Sequence, residues 1–276
     1  ISAGGPGAVF WMWMTALLGM ATSFAESSLA QLYKEKDKRG QFRGGPAWYM
    51  ARGLGMRWMG VLFSLFLLLA YGLIFNTVQA NSVAHAMRYA FSCPEWLAGL
   101  ALASIVLLTI SFGLKGIARL MQWLVPIMAL LWVAASLFVA ALHLDQVPGV
   151  LATIVKSAFG WREVASGALG YTFSQALMAG FQRGMFSNEA GMGSTPNAAA
   201  AASSWPPHPA AQGIVQMIGV FTDTIIICSA SAMILLLAGP VPHASGTVGI
   251  QLLQQALVTL TGGWGAGFVS LILILF

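Results

Sequence analysis

The chain has 276 residues, 58% hydrophobic and only 8% charged, with a mean hydropathy of +0.79 and a net charge of +5. Soluble domains carry about 25% charged residues, so this composition excludes a water-soluble globule and indicates a polytopic membrane protein, with the lipid bilayer as its solvent. The positive charge lies in short loops between apolar runs, which fits an orientation signal rather than a nucleic-acid surface, and no nucleic-acid partner is expected.

A membrane-crossing helix needs about 20 mostly apolar residues. Seven runs are read as spans, roughly Ala8 to Tyr33, Trp58 to Ala84, Trp96 to Gly113, Leu120 to Leu142, Val164 to Phe186, Gln212 to Ala238, and a last one from Gly263 that is cut at Phe276. The runs are too long, and too poor in alternation, for barrel strands. Between the spans, Val150 to Phe159 and Gly249 to Leu260 have helical apolar spacing and read as short amphipathic helices resting on the bundle. The chain starts at Ile1 and stops inside "VSLILILF", which reads as an internal piece of a longer protein: one transmembrane domain over 1–276, with about six full spans and one truncated.

Ten basic residues (Lys34, Lys36, Lys38, Arg39, Arg43, Arg52, Arg57, Lys115, Arg119 and Arg183) fall on one side of this layout, against Arg88, Lys156 and Arg162 on the other. The first set is expected to face the cytoplasm of a cell membrane. Cys93 and Cys228 show no paired spacing, and His85, His143, His208 and His243 are isolated, so no disulfide, metal or catalytic cluster is expected.

Polar groups inside the spans carry the functional signal, because each is costly in lipid. Glu26 in "FAESSLA" lies within two turns of the basic loop, where a Lys or Arg partner is the simplest expectation. Asp223 in "GVFTDTIII" lies deeper, flanked by Thr222 and Thr224, and fits either a cation site or a hydrogen-bonded brace. Asn76 and Gln79 in "FNTVQANS" share a helix face that is expected to point into the bundle or a wet cavity. "SGALGYTFSQALMAG" interrupts the fifth span with Gly167, Gly170, Tyr171, Thr172, Ser174 and Gln175. An unwound segment there would free carbonyls from Gly170 to Phe173 for an ammonium or a cation, with Phe173 or Tyr171 capping the site.

"FQRGMFSNEAGMGSTPNAAAAA" follows, from Phe181 to Ala202. Ala176, Gly180 and Gly184 form a small-residue stripe for close helix contact. Gly191 and Gly193 then stop the helix, Thr195 and Pro196 read as the cap and first residue of a short helix over Asn197 to Ser203, and "WPPHP" ends it. The stretch reads as a cytoplasmic gate or hinge built on Arg183, Asn188, Glu189 and Gly191.

"GGPGAVFWMWMTALLG" (Gly4 to Gly19) resembles the recognition motif of the alanine/glycine:cation symporters, also called the sodium:alanine symporter family. "RGMFSNEAGMGSTPNAAAAA" (Arg183 to Ala202) and "HPAAQGIVQMIGVFTDTIIICSASA" (His208 to Ala232) are similar to further family patterns, and the likeness covers essentially the whole chain. The resemblance implies an all-α, leucine-transporter-type inverted-repeat bundle, of which this chain would lack the first helix and the C-terminal helices. It implies no cofactor and symport of alanine or glycine with Na+, or alternatively H+, as coupling ion. Gln79, Asn76, Gly170, Thr172 and Phe173 are the expected substrate contacts. The alternatives are another amino acid or a nucleobase on the same fold, or a membrane-embedded enzyme.

Overall fold

The computed structural model describes residues 1, 3–38, 40–160, 169–239 and 249–275, with the backbone alone at 114–115, 169–172 and 275. The chain forms thirteen α-helices among these residues: α1 (Gly7–Leu32), α2 (Pro46–Gly53), α3 (Arg57–Leu69), α4 (Asn76–Phe91), α5 (Glu95–Ser111), α6 (Gly113–Leu142), α7 (Val147–Ala158), α8 (Leu169–Asn188), α9 (Ser194–Ala201), α10 (Pro209–Val220), α11 (Cys228–Leu237), α12 (Ile250–Thr261) and α13 (Trp264–Leu275). Two wide π-helical turns, Ala70–Phe75 and Phe221–Ile227, join α3 to α4 and α10 to α11.

Among the described residues, four helices are long and apolar enough to cross a membrane: Gly7–Leu32, Arg57–Phe91, Gly116–Leu142 and Pro209–Leu237. Helices α5, α7 and α13 are apolar but shorter. The fifth expected span is present as α8, whose described part is too polar to count among the four. The two expected amphipathic helices are found as α7 and α12, and the short alanine-rich helix as α9, beginning three residues earlier than expected.

The chain divides into two compact units: residues 1–73 with 151–229, and residues 74–150 with 230–276. In the first, α1 is the central element. The stripe on α8 packs against it: a Cβ at Gly180 would lie 2.5 Å from Trp11 Cβ and 2.6 Å from the Ala8 carbonyl oxygen, and one at Gly184 would lie 2.8 Å from Thr15 Cβ. Residue numbers rise together along the contact, with Gly19 facing Asn188 and Ala190, so the two helices run parallel. Backbones this close leave room only for hydrogen on one side. Gly213 of α10 meets Phe24 and Ser28 on another face of α1 in the same way.

The indole of Trp11 donates to the Ala158 carbonyl at 3.0 Å and meets Phe10, Phe159, Phe173 and Phe181 edge-on or tilted. Between α1 and α2 the chain makes a small hairpin that was not expected, pairing Glu35 with Arg43 and Lys36 with Phe42. Asp37 and Gly40 stand at the ends of its turn, with the Gly40 N–H donating to the Asp37 carbonyl at 2.9 Å.

In the second unit, α4, α12 and α13 pack around a fully buried amide. Gln254 of α12 donates to the carbonyls of Ala86 and Ala266 at 3.1 and 3.2 Å, and to Ser270 Oγ at 2.9 Å. On the neighbouring face Trp132 donates to Ser231 Oγ at 3.0 Å and stacks on Phe268.

The glycine contact gives a direct comparison. Gly180→Ala should lower the melting point of the full-length protein in detergent, an overpacking cost of about 1–3 kcal/mol. Gly219→Ala, whose added Cβ would meet only Gln216 at 4.0 Å, should leave it unchanged or raise it. Equal behaviour of the two variants would contradict the packing.

Candidate functional site

The polar residues of the first unit gather where α8 ends. Three of the five residues from Glu189 to Gly193 have left-handed backbone: Glu189 at φ 53, Gly191 at φ 84 and Gly193 at φ 84. Glycine adopts this conformation at no steric cost, whereas glutamate does so at some strain. The left-handed turn aims the Gly191 N–H at a carboxylate, that of Glu26 on α1, with the Gly193 N–H close by. A carboxylate that accepts backbone N–H bonds makes the stronger, charge-assisted kind of contact. Glu26 is therefore paired with main chain, and among the described residues no Lys or Arg of the adjacent basic loop pairs with it. The reason is geometric: α1 runs parallel to α8, so Glu26, one turn beyond Thr22, arrives beneath the turn rather than at the loop.

The second carboxylate of the turn, Glu189, accepts from Ser194 Oγ at the start of α9, with Tyr71 of the first π turn close by. Burial, with the charge of Glu26 adding to it, pushes the Tyr49 hydroxyl of α2 up to about 12. Tyr49 therefore remains a proton donor at neutral pH. Asn188 Oδ1 accepts from the Ala190 N–H at 3.0 Å, but its amide nitrogen is buried without a partner among the described residues.

Helix α9 is also held at its other end. Gln31 Nε2 donates to the carbonyls of Ala199 and Ala202, and Lys34 Nζ donates to Ala202 at 2.9 Å. Cations and donors at a helix C-terminus satisfy carbonyls that lack intrahelical partners. Glu26, Gln31 and Lys34 thus bind both ends of α9 to α1. Its N-terminus differs from the sequence reading: helix begins at Ser194, flanked by Gly193, with Thr195 and Pro196 inside the first turn and no side-chain cap. The Glu26 carboxylate, binding the turn just before it, makes a capping threonine unnecessary.

One residue before the end of α8, Ser187 donates to Asp223 Oδ2 and lies 3.0 Å from Cys228 Sγ. Thr224 Oγ1 also donates to Asp223 at 3.3 Å. The wide turn makes this possible: the Cys228 N–H bonds to the Asp223 carbonyl five residues back. π turns recur at functional sites because the extra residue re-aims side chains. The β-branched residues Thr222, Thr224, Ile225, Ile226 and Ile227 weaken the competing α form.

The expected hinge residues Asn188, Glu189 and Gly191 meet here, while Arg183 lies exposed on α8, five residues before its end and outside the cluster. The expected substrate contacts are distributed between units. Asn76 and Gln79 lie on α4 in the second unit, where both are exposed. Gly170, Thr172 and Phe173 lie on α8 in the first. The unwinding expected between Gly167 and Gln175 does not occur from Leu169 onward, where the helix is continuous to Asn188; Gly167 lies outside the described residues. Carbonyls at 170–173 thus belong to helix, because glycines at four-residue spacing let α8 keep its hydrogen bonds while packing closely on α1. Phe173 is engaged edge-on with Trp11 at 5.7 Å. The sequence reading missed Ser187, Tyr71 and Ser194; hydroxyls in apolar runs give no sign of which carboxylate they will meet.

The model of the sodium:alanine symporter family matches residues 1–276. The chain is 65% identical over its full length to the uncharacterized transporter YaaJ of Escherichia coli (strain K12), covering 58% of that protein. It is 48% identical over its full length to the probable sodium/glutamine symporter GlnT of Bacillus subtilis (strain 168), covering 56% of it. It is 40% identical over 240 residues, 86% of the chain, to the sodium/alanine symporter AgcS of Methanococcus maripaludis, covering 52% of that protein. The chain thus spans little more than half the length of the curated relatives it matches. With the motif stretches, the apolar helices and the whole-chain match in agreement, the chain belongs to the sodium:alanine symporter family, a family of transporters rather than of enzymes.

Proposed function

We propose that the protein is a secondary active symporter that carries a small neutral amino acid, alanine or glycine, across the cell membrane with a cation, Na+ in preference to H+. The observation that carries this reading is the family match over all 276 residues. A second reading, glutamine as substrate, is favoured by the 48% identity to a relative named for sodium and glutamine, above the 40% to the one named for alanine.

In this proposal Gln79 and Asn76 supply hydrogen bonds to the zwitterion, since an amide in a span requires a polar partner. Phe173, with Gly170 and Thr172 on the same helix, limits the size of the side chain accepted. Asp223 acts as a brace rather than as a cation ligand, because both of its hydroxyl neighbours point protons at it. The turn from Asn188 to Gly193 acts as the inner hinge. Substrate and ion are coupled because each binds better to the same conformation.

The Glu26 carboxylate latches the hinge to α1. Its loss releases the charge-assisted hydrogen bond from the Gly191 N–H, worth about 1.5–3 kcal/mol. That is enough to move a two-state equilibrium more than tenfold.

Full-length protein in proteoliposomes should accumulate labelled alanine uphill under an imposed Na+ gradient and not under an H+ gradient alone. Competition by unlabelled glycine, glutamine and a nucleobase decides the substrate; stronger competition by glutamine than by alanine would select the second reading. Gln79→Ala should raise the substrate concentration for half-maximal uptake by about tenfold, the worth of one hydrogen bond to a charged group. An unchanged value would remove Gln79 from the site. Glu26→Gln should lower the maximal uptake rate about tenfold or more while leaving equilibrium substrate binding within about threefold. Loss of binding with normal turnover would contradict a latch.

A further inference from the structure

The hairpin after α1 holds two ammonium groups against one ring. Lys34 Nζ lies 4.0 Å and Lys36 Nζ 5.3 Å from the centroid of Phe42. Cation–π attraction at exposed sites is worth about 0.5–1 kcal/mol, whereas like charges this close repel. Neither lysine pairs with a carboxylate among the described residues: Asp37 pairs with Arg43, and Glu35 with Arg52. Burial, with Lys36 adding to it, holds the Lys34 pKa below the ordinary lysine value. Two crowded cations without a counter-charge are an incomplete arrangement.

A cavity of about 350 Å³ opens beside Lys34 and Phe42, lined among others by Gln31, Ser203, Ser204 and His208. No acidic side chain lines it. The lining is rich in donors. Lys34 gives one proton to Ala202 and keeps two. The Ser203 hydroxyl makes no bond among the described residues, and Ser204 donates to Gln31 Oε1 at 3.0 Å. His208 Nδ1 accepts the Ala210 N–H at 3.2 Å, so the neutral ring carries its proton on Nε2 as a further donor.

The cavity lies between the end of one span, α1, and the start of another, α10, which places it at headgroup depth on the side that the basic residues assign to the cytoplasm. Trp205, in the loop that leads into His208, is 91% exposed. Tryptophan is enriched at the membrane–water interface. We propose that this cavity binds a phosphate-bearing anion, supplied by the headgroup of an anionic phospholipid in the cytoplasmic leaflet. The phosphate lies between the two lysines and the Ser203 hydroxyl, at the place where α9 is fastened to α1.

The test is retention of lipid by the full-length protein, measured by native mass spectrometry after titration with phosphatidylglycerol, phosphatidylcholine or inorganic phosphate. Phosphatidylglycerol should be retained about tenfold or more over phosphatidylcholine, as expected for two lysines near an anionic headgroup. Excess inorganic phosphate should displace it. The double variant Lys36→Ala, Ser203→Ala, which removes no hydrogen bond found within the protein, should bring the two lipids within about twofold. Lys34→Arg, which keeps both the charge and a donor for Ala202, should preserve the preference. Equal retention of the two lipids would overturn the proposal, as would a preference that survives the double variant. Saturable phosphate binding with no preference for phosphatidylglycerol would overturn the lipid source.

Discussion

The structure of the first unit depends on a missing layer of side chains. Where α8 crosses α1, Ala176, Gly180 and Gly184 let main chain meet main chain, and everything C-terminal to that contact inherits its register. The parallel course brings Glu26 beneath the turn that ends α8. It brings Asn188 against Gly19, and it leaves Ser187 on the side where α10 and the second π turn approach. A bulkier α8 would stand off by several ångströms, and none of these polar contacts would close.

The membrane sharpens this dependence. Helices in lipid gain no hydrophobic free energy from burying apolar faces against each other, so close packing and interhelical hydrogen bonds hold them together. Both are concentrated on α1, which binds α8 through glycines, α9 through Glu26 and Gln31, and the start of α10 through Gly213. Both ends of α9 are fixed to α1, while the short segment between Asn188 and Gly193 holds three positive-φ residues and an Asn188 amide nitrogen without a partner among the described residues. In the second unit the analogous role falls to Gln254, whose single amide joins α12 to α4 and α13.

Much of the helix layout was legible in the sequence, because long apolar runs leave few alternatives. The stripe of Ala176, Gly180 and Gly184 was legible as well, its four-residue spacing predicting close approach without naming α1 as the partner. The hairpin at Glu35 to Arg43 was not read, although Asp37 and Gly40 stand at turn spacing; the density of charge drew attention to orientation instead. Glu26 was read as buried and demanding, but its true partners are main-chain N–H groups, which carry no letter in a sequence. The glycines at 167 and 170 suggested a break, yet α8 is continuous from Leu169, since glycine permits both unwinding and tight packing and only the neighbour decides between them. Asn76 and Gln79 share a helix face as periodicity required, but which surroundings that face meets lay beyond periodicity.

The contact between Ser187 and Cys228 gives the protein a built-in reporter. A thiol lodged beside the Asp223 brace is shielded while α8 and the wide turn stay together, and it is uncovered when they part. The chain has two cysteines, and Cys93 lies far away in sequence, beside Pro94. Chemical accessibility at Cys228 therefore follows the separation of these two elements, so a thiol reagent reads their packing directly.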